Sequence, residues 1–288
     1  MASEIDSILR WFYRESFPQG ILEFDELLAR AVAKSLRKSQ MDVEAYVYAN
    51  APRNWSAILQ RIDADKLLGR SPMFNVEDIE NRKLTWLPSN ITSFDSSKKR
   101  HLAVKLGSRP YLLRMIDTLT DREYEGLACV ISKFAGASYV KLTPRGNEGG
   151  IDFFASINCP ARCHIFGGAH RPLRIVGQSK KYSDKVQVDE VKEFTTTLEE
   201  VRNQNPSIEH LVPPWFRSAS GPLVGWLVAH NGVQSGGLTK ARNHGIIVSD
   251  SVDLAEIAAL SRQISYFTST PERVELVRSM VSEIISTN

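Results

Sequence analysis

Asp152 and the tripeptide Gln178-Ser179-Lys180 are the residues whose types and spacing suggest shared chemistry, with Glu125 a third group upstream. Asp152 opens the apolar run "IDFFAS", and Gln178 to Lys180 close the run "LRIVGQSKK". Alternation along a strand puts Gln178 and Lys180 on one face. An acid at one strand end and a polar residue two positions before a lysine at another are what metal-assisted phosphodiester hydrolysis requires. The acid holds a divalent cation, and the lysine meets the charge on water and phosphate.

The segments around these residues have clear local signals. Thr120 followed by Glu123 makes a capping box with an acidic first turn, opening a helix that runs to about Ala135 and stops at Gly136. Tyr124, Leu127, Ala128, Ile131 and Phe134 form its core stripe, and Glu125 lies off that stripe. "SYVKL" reads as a strand and "TPRGNEGG" as a glycine-rich turn leading to Asp152, with Glu148 a turn residue that could also serve a metal. Further on come a helix "VDEVKEFTTTLEEV", a continuous apolar strand "LVGWLVA", a short helix in "SGGLTKARNHG", a strand "IIVSD" and two closing helices. Strands and helices alternating from Tyr139 to Leu260 indicate an α/β/α sandwich with the site at one edge of the sheet.

This order resembles the catalytic domain of the Mrr-like restriction endonucleases, a branch of the PD-(D/E)XK nuclease superfamily. The resemblance rests on Gln178-Ser179-Lys180 as the QXK form of the final motif, on the aromatic-Glu pair Tyr124-Glu125, and on "GNEGGID" ending at Asp152. It extends over roughly Leu119 to Leu260. It implies a restriction-endonuclease-like fold with a central mixed sheet. It also implies a Mg²⁺-dependent DNA endonuclease, with Mn²⁺ able to substitute, working in restriction or anti-phage defence. Asp152 and Glu125 would bind the metal, with a backbone carbonyl near Ser179 completing the protein's share. Gln178 would supply a neutral oxygen or position a water, and Lys180 would stabilise the attacking water and the pentavalent state. Magnesium keeps several waters, so few side chains suffice. Lys181 and Lys185, in the basic run beside the site, and Ser235, Thr239 and Lys240, in the later turn and helix, are the expected DNA contacts.

Two other readings share these residues. One is a structure-specific repair nuclease or junction resolvase on the same fold. The other is a non-catalytic DNA-binding protein on a decayed nuclease fold, which the complete set of polar residues argues against. The chain carries no P-loop, nucleophile elbow or dinucleotide fingerprint.

The remaining stretches set the domain plan. The sequence of 288 residues, 42% hydrophobic and 24% charged, is enough for two globular domains. Residues 1–95 read as a mainly helical recognition or sensor domain, for which a winged helix and a generic helical module both fit. Helices are expected near residues 4–16 and 23–37 and in "NWSAILQRIDADKLLG", and a strand in "RKLTWLP". Residues 96–118 are assigned to a linker, continuing a polar stretch from Pro88 to Gly107 that has no helical periodicity, and to a short lead-in helix at about Pro110–Asp117. Residues 119–288 are assigned to the nuclease domain. Between Asn158 and Arg174, Cys159, Cys163, His164 and His170 are zinc-type ligands in a spacing that is not a common zinc pattern. A surface hairpin loop is the favoured reading there. Three cysteines do not make a disulfide framework, and neither a leader nor a membrane span is evident, so a cytoplasmic protein is expected. DNA, a second copy of the chain and an activating partner are the expected associations, with no membrane.

Overall fold

The computed structural model describes residues 3–88, 97–146, 149–158, 171–265 and 268–287. They form two compact units, Met1–Arg114 with Ser265–Pro271, and Met115–Ile264 with Glu272–Asn288.

The first unit runs α1 (Glu4–Arg14), β1 (Ile21–Glu23), α2 (Phe24–Ser35), α3 (Gln40–Leu67), β2 (Phe74–Asp78) and β3 (Lys83–Trp86). Its antiparallel sheet has the order β1-β3-β2, with Leu22 opposite Leu84 and Val76 opposite Leu84. The unit thus runs helix, strand, two helices and a two-stranded antiparallel hairpin, with helix predominating as expected. Phe12 is at the centre of its core, stacked on Phe24 at 6.1 Å and edge-on to Phe74 at 5.8 Å. The buried Asp65 accepts from the Tyr13 hydroxyl and lies 3.1 Å from Arg61. Burial pushes the Tyr13 phenol up.

The structure changes two local expectations. Residues 40–67 form one continuous helix through Pro52, whereas the sequence predicts a helix only from Asn54 onward and leaves the preceding "VEAYVYANAP" open between a short strand and a helix start. Proline inside a helix removes one hydrogen bond. Pro52 is exposed, while Val43, Ala51, Trp55, Ile58 and Ile62 are buried and hold the helix against the core. The polar stretch read as a linker also contains a helix, α4 (Ser97–Gly107), whose Ala103 and Leu106 are buried. Two anchors three residues apart hold it, too few to register as periodicity. Next comes α5 (Arg109–Thr118).

The second unit comprises α6 (Asp121–Phe134), β4 (Ala137–Leu142), β5 (Phe153–Ile157), β6 (Leu173–Lys180), α7 (Val188–Arg202), α8 (Pro214–Arg217), β7 (Leu223–Ala229), α9 (Ser235–Asn243), β8 (Ile246–Ser249), α10 (Ser251–Leu260) and α11 (Thr270–Ser286). The five strands stand in the order β4-β5-β6-β7-β8. β5 is antiparallel to both of its neighbours, β4 and β6, and β6, β7 and β8 are parallel, giving a mixed sheet. Phe154, Val176 and Leu227 on one face pack with Val191, Phe194 and Leu198 of α7. On the other face Phe153 meets Trp226 edge-on at 5.7 Å, beside the buried Leu127, Ala128 and Ile131 of α6. Each large side chain buried this way contributes roughly 1.5–3 kcal/mol. This three-layer arrangement is the expected α/β/α sandwich, and it carries Asp152, Gln178 and Lys180 to one end of the central strands.

Candidate active site

Asp152 is fixed by its backbone before its side chain plays any part. Its amide donates to the Gly177 carbonyl at 2.9 Å, and its own carbonyl accepts from the Thr143 amide at 2.9 Å. Phe153 pairs with Gly177, so one step back along the antiparallel register Asp152 stands opposite Gln178. Gly177 is required here, because a Cβ at that position would lie 2.0 Å from the Phe153 ring. The sequence therefore places the glycine directly before Gln178 so that the two strands can close over a phenyl ring.

The approach to Asp152 is also held from β6. Gly149 and Gly150 have φ of +52° and +77°, a region side chains disfavour. The Gly150 carbonyl accepts from Gln178 Nε2 at 3.0 Å, and the Gly149 carbonyl from the Thr197 hydroxyl at 3.2 Å. Gln178 thus uses its amide nitrogen to secure the turn that presents Asp152. Its Oε1 is buried and has no hydrogen-bond partner among the described residues. A buried acceptor of this kind carries a desolvation cost unless a cation or donor meets it. The Ser179 amide donates to Asp152 Oδ2 at 2.5 Å, which orients the carboxylate. The Ser179 hydroxyl is on the opposite face of the strand, buried and also without a described hydrogen-bond partner.

Glu125 reaches this end of the sheet through Arg122. One Arg122 nitrogen donates to Glu125 Oε2 at 2.7 Å and another to the Thr143 carbonyl at 2.6 Å. Thr143 in turn donates its hydroxyl to the carbonyls of Ile151 and Asp152 at 2.7 and 2.9 Å. Both charged side chains are largely buried, at 9% and 16% exposure. Among the described residues no three His, Cys, Asp or Glu side chains are grouped as a metal site. The oxygen donors at this end of the sheet are the Asp152 carboxylate and the Gln178 amide oxygen, which has no hydrogen-bond partner among the described residues, with the Glu125 carboxylate held on α6 by Arg122. Hard oxygen donors of this type fit Mg²⁺ or Mn²⁺.

Lys180 ends β6 on the same face as Gln178. Its Nζ is 4.0 Å from Glu190 Oε1 and 5.7 Å from the centre of the Tyr182 ring. Glu190 also caps α7 by accepting from the Gln187 amide at 3.1 Å, and its hydrogen bond with Tyr182 raises the phenol's pKa. The sequence analysis did not single out Glu190. Its capping-box spacing after Gln187 was visible, but its approach to Lys180 depends on where α7 docks.

Residues 116–208 match the model of a family described as restriction endonuclease, its Mrr catalytic domain. This segment is thus similar to the Mrr-type restriction endonuclease domain. Two solved structures show similarity to the chain. The MspJI restriction endonuclease in complex with a 27-mer oligonucleotide is 16% identical, with a TM-score of 0.39 over 67% of this chain and 42% of that one. The DNA modification-dependent restriction endonuclease AspBHI is 14% identical, with a TM-score of 0.42 over 61% and 40%. The chain therefore spans about two fifths of the length of either structure. No curated protein matches it.

Around this candidate site, the segment after β6 is tied to the segment after β7. Val186 and Val233 form a parallel bridge, and Asn231 Nδ2 donates to the carbonyls of Tyr182 and Ser183 at 2.6 and 3.0 Å. This brings the exposed Lys185 alongside the start of α9, where Ser235 and Thr239 are exposed and Lys240 is half-buried. The Thr239 hydroxyl donates to the Ser235 carbonyl at 3.2 Å. Lys181 faces the sheet end, its Nζ donating to the Asp117 carbonyl at 3.1 Å, and Asp117 Oδ1 is 3.1 Å from His230 Nε2. Sequence reasoning named the lysines but not Asn231 or Asp117, whose partners are distant in the chain, nor Arg122, which joins its neighbour Glu125 to the distant Thr143 carbonyl. Glu148 and the four zinc-type residues, Cys159, Cys163, His164 and His170, lie outside the described residues. No described helix is long and apolar enough to cross a membrane.

Proposed function

We propose that this chain is a Mg²⁺-dependent DNA endonuclease, with Mn²⁺ able to replace Mg²⁺, acting in restriction or anti-phage defence. The observation that supports it most directly is Gln178. The same amide secures the Gly150 turn with its nitrogen, and its buried oxygen, directly across from Asp152, has no hydrogen-bond partner among the described residues. Asp152, Gln178 and Glu125 would hold the cation, with the Ser179 carbonyl as a further oxygen. When bound, a divalent ion lowers the pKa of its water and offsets charge at the scissile phosphate.

The chain's own residues supply the remaining contributions. Lys180 provides a positive charge at the strand end for the non-bridging phosphate oxygens, and Glu190 keeps that ammonium in place. Arg122 compensates Glu125, so the site accumulates little net negative charge before metal and phosphate arrive. Lys185, Ser235, Thr239 and Lys240 form a strip beside the site for the DNA backbone, with Lys181 next to it. Cutting both strands calls for two such sites, which favours a homo-oligomer, and an activating partner would fit a defence role. The first unit would select the target or receive the signal.

The test is cleavage of supercoiled and linear duplex DNA with Mg²⁺, Mn²⁺ or EDTA, beside Asp152→Ala and Lys180→Ala. Metal-dependent cutting that both substitutions abolish is expected. Cutting that survives both would remove these residues from the site.

A further inference from the structure

The structure contains a second site-like feature at the opposite end of β6. Arg174 is the second residue of that strand, six residues before Lys180 and so roughly 20 Å away at about 3.3 Å per residue. It lines a cavity of about 240 Å³ together with Arg202, Arg217, Gln204, Asn205 and Phe216. Val201, Ile208 and Val212 complete an apolar floor.

The charges in this cavity do not cancel. Glu209 is the single carboxylate among its lining residues, and Arg217 engages it twice, at 2.6 Å to the carboxylate and 2.8 Å to its main-chain carbonyl. Arg174 is half-buried, its guanidinium 5.4 Å from the centre of the Phe216 ring. Its Nε donates to the Gly221 carbonyl at 3.0 Å, and its two terminal nitrogens have no hydrogen-bond partner among the described residues. Burial pulls its pKa down, the reverse of what an adjacent carboxylate would do. Arg202 ends α7, where a cation suits the helix dipole, and it too has no ion-pair partner among the described residues. The amides of Gln204 and Asn205 add neutral donors.

Two arginines without acidic partners, two amides and an apolar floor within one small cavity match a compound with an anionic head and a flat, partly apolar body. Guanidinium forks suit phosphate in particular. We infer that this cavity binds a nucleoside phosphate, either a free nucleotide or the 5′-phosphorylated end of a nucleic-acid strand. The site lies away from the Asp152 end of the sheet and does not depend on cleavage chemistry.

The experiment is calorimetric titration of the full chain in EDTA, which keeps divalent metal from the other site. The probes are adenosine and guanosine 5′-monophosphate, adenosine, inorganic phosphate, and a short oligonucleotide with and without a 5′-phosphate. Saturable binding of a monophosphate, or of the 5′-phosphorylated oligonucleotide alone, is expected, and which of these binds identifies the source. Arg174→Gln and Arg202→Gln should each weaken it about tenfold or more, as losing a charged hydrogen bond does. Asp152→Asn should leave it unchanged. Arg202 is exposed, so Arg202→Gln tests the cavity even where Arg174→Gln disturbs the fold. Absence of saturation by every probe, inorganic phosphate binding as tightly as a nucleotide, or affinity unchanged in both arginine variants would overturn the inference.

Discussion

At Gln178 a neutral amide stands opposite Asp152, where a carboxylate would add a full negative charge beside two existing acids. The amide has a second task, holding the Gly150 carbonyl, that a carboxylate lacking a donor could not perform. Two substitutions separate these roles. Gln178→Glu should lower the Mg²⁺ concentration giving half-maximal cleavage about tenfold, roughly 1.4 kcal/mol, and should also loosen the turn before Asp152. Gln178→Leu should raise that concentration, because it removes the oxygen altogether. Rates measured across a Mg²⁺ series decide the matter, and a Leu variant with unchanged metal dependence would take Gln178 out of the cation's shell. Glu190 makes a separate residue-scale case. Glu190→Gln should slow single-turnover cleavage about tenfold, ~1.4 kcal/mol, with DNA affinity unchanged, since it acts by positioning Lys180. A change confined to affinity would assign Glu190 to DNA contact instead.

At the scale of elements, α6 carries Glu125 and Arg122, and its first turn depends on the Thr120–Glu123 capping box. Glu123 accepts from the Thr120 amide at 2.6 Å, and that backbone hydrogen bond, with the one from the Thr120 hydroxyl, holds its carboxyl below the usual range. A depressed carboxylate contributes stability above its unfolded pKa of about 4.3 and loses it as pH falls through the folded value. Thr120→Ala should therefore cost about 1 kcal/mol in urea unfolding at pH 7, and the penalty of Glu123→Gln should vanish on acidification. A Glu123→Gln penalty that stays constant with pH would show that the charge contributes nothing there. This cap was legible in the sequence, as was the pairing of Gln178 and Lys180 on one strand face, because both follow from short-range periodicity. The continuity of α3 through Pro52 and the helix at 97–107 were not legible, since each depends on burial against distant residues. For the same reason the contacts of Arg122 with Thr143 and of Glu190 with Lys180 were not legible, since they join residues 21 and 10 positions apart.

For the whole molecule, 36 basic and 33 acidic side chains leave a net charge of only +3, too little to attract DNA as a general field. Affinity for a duplex must then come from where the cations stand. The bridge between Val186 and Val233 sets Lys185 beside the first turn of α9, and Lys240 follows on that helix. Lys66, by contrast, is paired with Asp63 on α3. Each lysine that neutralises a phosphate releases counterions, and log affinity falls with log salt by about 0.9 per contact. Lys185→Ala and Lys240→Ala should each reduce the magnitude of that slope by about 0.9, and the double variant by about twice as much, whereas Lys66→Ala should leave it unchanged. Binding of a duplex to the full chain in Ca²⁺ or EDTA, followed by anisotropy from low to moderate salt, measures the slope without cleavage. Equal slopes for all three variants would mean that the backbone crosses a different surface, and the strip beside Asp152 would then have to be reassigned.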